Sequence, residues 1–174
     1  MTIDVSICIV TYHAMDFLRD CLRSIYGTAG SVSFEIIVVD NHSEDCTVEM
    51  LRSEFPNVHL LVNNENTGYT RPNNQAMRIS QGRYLLIINP DTLVDPNTIP
   101  ELAGFLDSHP EVGIVGPKVL NRDGSLQKQC RRSEARPWDA FCYFSGLSRL
   151  FPHDKRFAGY LMTYLSEDIV HEAE

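Results

Sequence analysis

Four apolar runs in the first half of the chain stop abruptly on residues that can bind or polarise a ligand. Val5–Val10 ends in Thr11-Tyr12-His13, and Glu35–Val39 ends in Asp40-Asn41-His42-Ser43. Val58–Val62 leads into Asn63-Asn64-Glu65-Asn66-Thr67-Gly68, and Tyr84–Ile88 into Asn89-Pro90-Asp91-Thr92. Each ending carries groups that hydrogen-bond, and Asp40 and Asp91 offer carboxylates there. Asp and Asn also cap helices, which accounts for any one of these endings taken alone. Four endings on one edge of one sheet point instead to a ligand site, because open α/β sheets bind outside the carboxyl ends of their strands. Gly68, Arg71 and Asn74 fall where a loop opens onto a helix, and backbone N–H groups with the helix dipole favour phosphate there. Arg71 can add a charge-assisted bond, the plain alternative being a solvated arginine.

The elements that must position these groups are legible from pattern. Five apolar runs recur, the four above and Val112–Val115, and most are Val- and Ile-rich without in/out alternation. That is the signature of strands covered on both faces, as in a parallel sheet. Between them, Phe17, Leu18, Cys21, Leu22 and Ile25 make one apolar stripe of a helix over 16–25. Asp45 predicts a helix running through Phe55 to Pro56, and Pro72 a helix start with Gly82 as its stop. Asp95-Pro96 predicts another helix, to about Ser108. The alternation implies an open, mostly parallel α/β sheet with helices on both faces and right-handed crossovers. After Gly116 the rhythm changes: a hairpin about Asn121–Ser125, then a helical stretch from Trp138 to Leu150 and an acidic end. One domain over 1–174 is expected, with 131–174 as linker or tail.

Composition narrows the classes. The 174 residues carry 15 Lys and Arg against 23 Asp and Glu, a formal charge of -8. Proteins that grip nucleic-acid phosphates show the opposite balance, so no nucleic-acid partner is expected. The five cysteines (Cys8, Cys21, Cys46, Cys130, Cys142) are scattered without a paired spacing, which argues for reduced thiols rather than a disulfide frame or structural zinc. No apolar run approaches the ~18 residues that span a bilayer, and the first ten residues do not read as a signal peptide. A cytoplasmic location is the expectation.

The order and spacing of Val5–Tyr12, Ile36–Ser43, Asn66-Thr67-Gly68-Tyr69, Asn74-Gln75-Ala76 and Leu86–Asp91 resemble the family 2 glycosyltransferases of A-type nucleotide-diphospho-sugar transferase fold. Gly116-Pro117-Lys118 and Asp123-Gly124 extend the match, which covers about residues 3 to 130. The Asn-Pro-Asp form and the Arg156–Met162 stretch look most like the rhamnosyltransferase-type branch. The resemblance implies inverting, divalent-metal-dependent transfer of a sugar from a nucleotide-diphosphate donor to a glycan or lipid-linked acceptor, as in polysaccharide biosynthesis. Carried over by position, Thr11 and Tyr12 line the nucleoside pocket, and Asp40 with Asn41 holds base or ribose. Gly68, Arg71, Asn74 and Asn89 belong to the donor site. Asp91 matches the last acid of the family's D-x-D motif and would share Mg²⁺ or Mn²⁺ with the diphosphate; Asn89 replaces the first acid. One carboxylate with phosphate oxygens and waters suffices for Mg²⁺.

The family's catalytic base sits in a Glu-Asp motif of a second half. The only Glu-Asp here is Glu167-Asp168, without the Gly-rich strand that introduces the motif, so Asp168 is the minority candidate. The chain therefore reads as the donor-binding half of a longer enzyme, with a catalytically silent nucleotide-sugar-binding module as the alternative. Peripheral association at the inner face of the membrane follows from such acceptors, although no basic amphipathic helix is apparent in the sequence. Homo-oligomer formation stays open.

Overall fold

Alternating Val/Ile-rich runs and amphipathic stretches assemble into one parallel sheet of order β3-β2-β1-β4. Its strands are β1 (Val5–Thr11), β2 (Phe34–Asp40), β3 (His59–Val62) and β4 (Tyr84–Ile88), joined by helices α1 (Met15–Tyr26), α2 (Thr47–Glu54) and α3 (Thr70–Ile79), with α4 (Thr98–Ser108) following β4. The structure, a computed structural model, describes residues 2–28, 32–134, 136–167 and 169–172. Two compact units form, 1–115 and 116–174, and the sheet belongs to the first.

Strand β1 pairs with β2 residue for residue, from Val5↔Phe34 to Thr11↔Asp40, and with β4 from Val5↔Tyr84 to Ile9↔Ile88. Alternation then divides the side chains between two faces. Ile7, Ile9, Ile36 and Val38 pack with Leu18, Leu22 and Ile25 of α1, Leu51 of α2 and Ile99 of α4. Cys8, Val10, Ile37 and Val39 pack with Ala76 and Met77 of α3. The chain lays β1, β2 and β3 side by side, then crosses back to add β4 beyond β1. That reversal is why α3 lands on the opposite face from α1 and α2.

The two faces are not equally covered. Leu85 and Ile87 of β4 lie on the α3 face and are exposed, because the cluster under α3 takes in β1, β2 and Leu61 of β3 but no residue of β4. Val112–Val115 forms no strand, contrary to its apolar pattern, and Ile114 is 92% exposed. This four-residue run includes Gly113, and the Val112 N–H closes a turn onto the His109 carbonyl directly behind α4. Among the described residues the sheet therefore ends at β4.

Two glycines behave differently from their pattern reading or context. Gly82 is no helix stop, since α3 ends at Ile79 and Ser80 is already extended. It is small because β1 passes against it: a Cβ there would lie 2.7 Å from Ser6 Oγ and 2.8 Å from the Val5 carbonyl carbon. The Gly82 N–H donates to Ser6 Oγ, whose hydroxyl donates to the buried Glu35 carboxylate at 2.5 Å. Pro72 is the third helical residue rather than the first, still among positions whose N–H has no helical acceptor.

In the second unit the expected hairpin reduces to one antiparallel bridge, Leu120↔Leu126, closed by Asp123 accepting from the Ser125 N–H and hydroxyl. The predicted Trp138–Leu150 helix is two helices, α5 (Pro137–Phe144) and α6 (Leu147–Leu150). Gly146 at φ 84° separates them, a backbone turn outside the helical region. Asp168 lies outside the described residues. The five cysteines are free, and burial pushes the Cys8 thiol up to about 11, with the Glu35 charge adding to the shift.

Overpacking at Gly82 sets up a paired comparison. Gly82→Ala should lower stability by about 2 kcal/mol. Gly104→Ala, in α4 with no atom within 4 Å of the new methyl, should raise it by about 0.5–1 kcal/mol. Urea unfolding of the two variants checks both signs.

Candidate functional site

The carboxyl ends of β2, β1 and β4 meet along one edge of the sheet, at the place where the strand order reverses. Thr11 and Asp40 are register partners there, and both side chains are fully buried on the α1/α2 face. Asp40 Oδ2 accepts the Ser43 N–H at 3.0 Å. Its Oδ1 and the Thr11 Oγ1 have no hydrogen-bond partner among the described residues. Two neighbouring buried oxygens without partners are costly, on the order of 1–3 kcal/mol each, and such atoms mark places where a donor is to be supplied.

Ser43 does more than its place in the sequence suggested. Besides donating to Asp40, it accepts the His13 N–H on its hydroxyl at 3.0 Å and so ties the loop after β1 to the loop after β2. His13 (φ 49°) and His42 (φ 70°) both take left-handed backbone, a conformation that non-glycine residues seldom adopt. The tie between the two loops holds His13 in that shape. Tyr12 is exposed beside it, its ring 4.3 Å from the His13 ring in an edge-on arrangement.

On the α3 face, Asn41 is the hub of the third loop. Its Nδ2 donates to Asn66 Oδ1 (2.8 Å) and to the Gly68 carbonyl (3.0 Å). Its Oδ1 accepts from Asn63 Nδ2, from the Thr67 N–H and from the Thr67 hydroxyl. Asn63 and Gln75 exchange a reciprocal pair of amide bonds, which carries the loop onto α3. Asn41 thus has its hydrogen-bonding capacity taken up by the chain itself. It holds the loop over 63–68 in shape.

The Gly68 N–H donates to Asn66 Oδ1, and its φ of 78° is what requires glycine there. Arg71 and Gln75 line an open polar pocket of about 260 Å³ with Asn63, Asn64, Glu65 and Thr67. Arg71 has no acidic partner among the described residues, so its guanidinium is available at the rim. Asn74 is exposed on α3, whereas Asn73 is buried, donates to the Tyr69 carbonyl and leaves its own Oδ1 unpartnered. Helical spacing from the buried Ala76 could have singled out Asn73.

Beyond β4, Asn89 and Asp91 are exposed. Asn89 Oδ1 accepts the Tyr69 hydroxyl at 3.3 Å, linking the third loop to the fourth. Asp91 lies close enough to α1 to act on Cys21, whose thiol is pushed up to about 12 by burial first and by the Asp91 charge second. Among the described residues no three His, Cys, Asp or Glu side chains gather to hold a metal. A divalent cation here would have Asp91 as its single protein carboxylate and would need oxygens from a bound anion to complete its shell. That donor set fits Mg²⁺ or Mn²⁺ only together with a polyphosphate.

The hub makes a clear demand on one atom pair. Asn41→Asp replaces two donations with a carboxylate facing Asn66 Oδ1 and the Gly68 carbonyl. The variant should lose about 2–3 kcal/mol and show faster amide exchange across 63–68, measured by hydrogen–deuterium exchange.

The model of the family described as glycosyl transferase family 2 matches residues 6–172. The poly(ribitol-phosphate) beta-N-acetylglucosaminyltransferase TarS of Staphylococcus aureus is 25% identical over 133 residues, 74% of this chain and 23% of TarS. An N-acetylglucosaminyl-diphospho-decaprenol L-rhamnosyltransferase of Mycobacterium tuberculosis is 27% identical over 143 residues, 76% of this chain and 46% of that protein. The crystal structure of S. aureus TarS 1-349 in complex with UDP-GlcNAc superposes with a TM-score of 0.55 at 25% identity, over 62% of this chain and 32% of that one. The chain spans less than half the length of either relative. Because the matched stretch takes in every strand end described above and continues through the second unit, the chain belongs to glycosyl transferase family 2.

Proposed function

We propose that the protein binds a nucleotide-diphosphate sugar along the edge formed by Thr11, Asp40 and Asp91, and that it transfers the sugar, with inversion and divalent-metal dependence, to a glycan or lipid-linked acceptor. The observation that carries this reading is the pair of buried, unpartnered oxygens on Thr11 and Asp40 at the carboxyl ends of β1 and β2, beside the reversal between β1 and β4. Nucleobase N–H or ribose hydroxyl donors would satisfy them, and Tyr12, the residue after Thr11, is exposed and offers a ring for stacking. TarS structures contain UDP-GlcNAc and UDP, which supports a nucleotide-sugar donor for this chain as well.

Arg71, at the polar pocket, and Asp91, beyond β4, divide the charge of the diphosphate between a cation and a metal-binding carboxylate. The metal, when bound, offsets the charge that builds on the departing nucleoside diphosphate. Asn41, Asn63, Thr67 and Gln75 keep the third loop shaped for this by bonds made within the chain. Asp168 as general base rests on its Glu-Asp context alone. Full activity in Asp168→Asn would remove it from the mechanism.

Thermal unfolding with UDP, dTDP or GDP, with and without Mn²⁺, tests the reading. The right nucleotide at a hundredfold excess over Kd should raise Tm by about 5–10 °C. Asp40→Asn should weaken nucleotide affinity at least about tenfold with or without metal. Asp91→Ala should abolish only the metal-dependent part of the shift. Absence of any shift with every nucleotide diphosphate overturns the proposal; a shift without sugar transfer to any acceptor favours the silent module.

A further inference from the structure

The charge of the chain is divided unevenly along its length. Residues 1–115 carry six Lys and Arg against fifteen Asp and Glu. Between Lys128 and Arg156 the balance reverses, with seven Lys and Arg against three carboxylates. The same stretch holds a concentration of exposed apolar side chains. Trp138 and Phe141 of α5 are 54% and 56% exposed, Phe144 is 79% exposed, and Leu150 at the end of α6 is 73% exposed with Phe151 beside it.

Four rings form a connected row: Phe151 meets Phe157 at 5.1 Å, Phe157 meets Trp138 at 6.4 Å, and Trp138 stacks on Phe141 at 5.7 Å. The indole N–H of Trp138 donates to the Arg156 carbonyl at 2.8 Å, so its polar end is satisfied while its ring faces outward. Cations border the rings. Arg132 lies over Tyr160, which neighbours Phe144, and Arg156, already paired with Asp154 at 2.8 Å, lies over Phe157. Arg149 is exposed next to Leu150 and has no acidic partner among the described residues.

We propose that this aromatic and basic surface of the second unit docks the protein on a bilayer containing anionic lipids. Protruding Trp, Phe and Leu side chains with flanking Arg are the combination that enters the interface, rings at the headgroup level and cations on lipid phosphates. A second copy of the chain is a poorer occupant. A two-fold contact through this patch would bring one net positive surface against an identical net positive surface. The combination is hidden in the sequence because α5 itself contains no Lys or Arg; the cations come from the flanking segments and the rings from both sides of α6. The inference does not depend on the donor reading, since none of its residues lies at the strand edge.

Trp138 is the only tryptophan, so its fluorescence reports on the patch directly. With vesicles of phosphatidylcholine plus phosphatidylglycerol, the protein should sediment with the lipid, its emission should shift to the blue, and added salt should weaken both effects. Pure phosphatidylcholine should bind much less. Arg149→Glu should lower partitioning roughly tenfold. Leu150→Ser should also lower it, with Tm unchanged for both exposed positions. The proposal is overturned if Trp138 emission is unmoved by anionic vesicles, or if binding is indifferent to both substitutions. It is equally overturned if light scattering shows a dimer that Leu150→Ser dissociates, because a second copy then covers the patch.

Discussion

The parallel pairing of β1 with β2 is the constraint on which the site depends. In a parallel pair both strands run out at the same edge, so whatever follows each apolar run is delivered to one place. Here the register carries through to the last residue of each strand, Thr11 opposite Asp40. Equal parity then puts both side chains on the same face. A slip of one residue would send Asp40 to the α3 face and Asn41 to the α1/α2 face, exchanging the unpartnered carboxylate for the loop hub. Apolar packing on both sides of β1 and β2 holds the register against that slip.

How much of this was legible in the sequence differs by kind of signal. The four strands and α1 through α4 follow from apolar runs and helical stripes, which are set by burial and therefore written into residue type. Val112–Val115 misled because an apolar run records only a tendency to be buried, and this one has no neighbouring strand to pair with. The Trp138–Leu150 helix was legible as helical, but Gly146 was not read as the break it makes. Site residues divide the same way. Thr11, Asp40 and Asp91 could be placed at strand ends from pattern, since the first two stand directly after an apolar run and Asp91 only two residues further from one. The roles of Asn41, Ser43 and Gly68 could not. An amide at a strand end has the same appearance whether its bonds go to a ligand or to residues 63–68, and only the loop's path decides between them.

The same limit explains why the basic aromatic surface escaped notice. Helical amphipathicity is a statement about one helix, and α5 alone is an aromatic segment with one acid. The surface exists because the turn after α6 returns Phe151 and Phe157 to the side of Trp138. Net charge misleads in the same way when taken over the whole chain. The acidic total of -8 is the sum of a strongly acidic first unit and a locally basic stretch in the second.

The two carboxylates of the proposed donor site differ in what they can bind, and the difference comes from burial. Asp40 is fully buried with one oxygen already committed to the Ser43 N–H, so what it lacks is a single directed donor at the other oxygen. A bare divalent cation would bring most of a hydration shell into that space and find only one free oxygen. Asp91 is exposed and keeps its own water, so a cation gains little from it until a second anion shares the charge. Under the proposed function this makes recognition sequential in energy if not in time. Asp40 distinguishes nucleosides by hydrogen bonding without needing metal, and Asp91 contributes only once a diphosphate is present. Metal affinity is then a property of the nucleotide complex rather than of the protein, which is why a site with a single carboxylate is compatible with metal-dependent transfer.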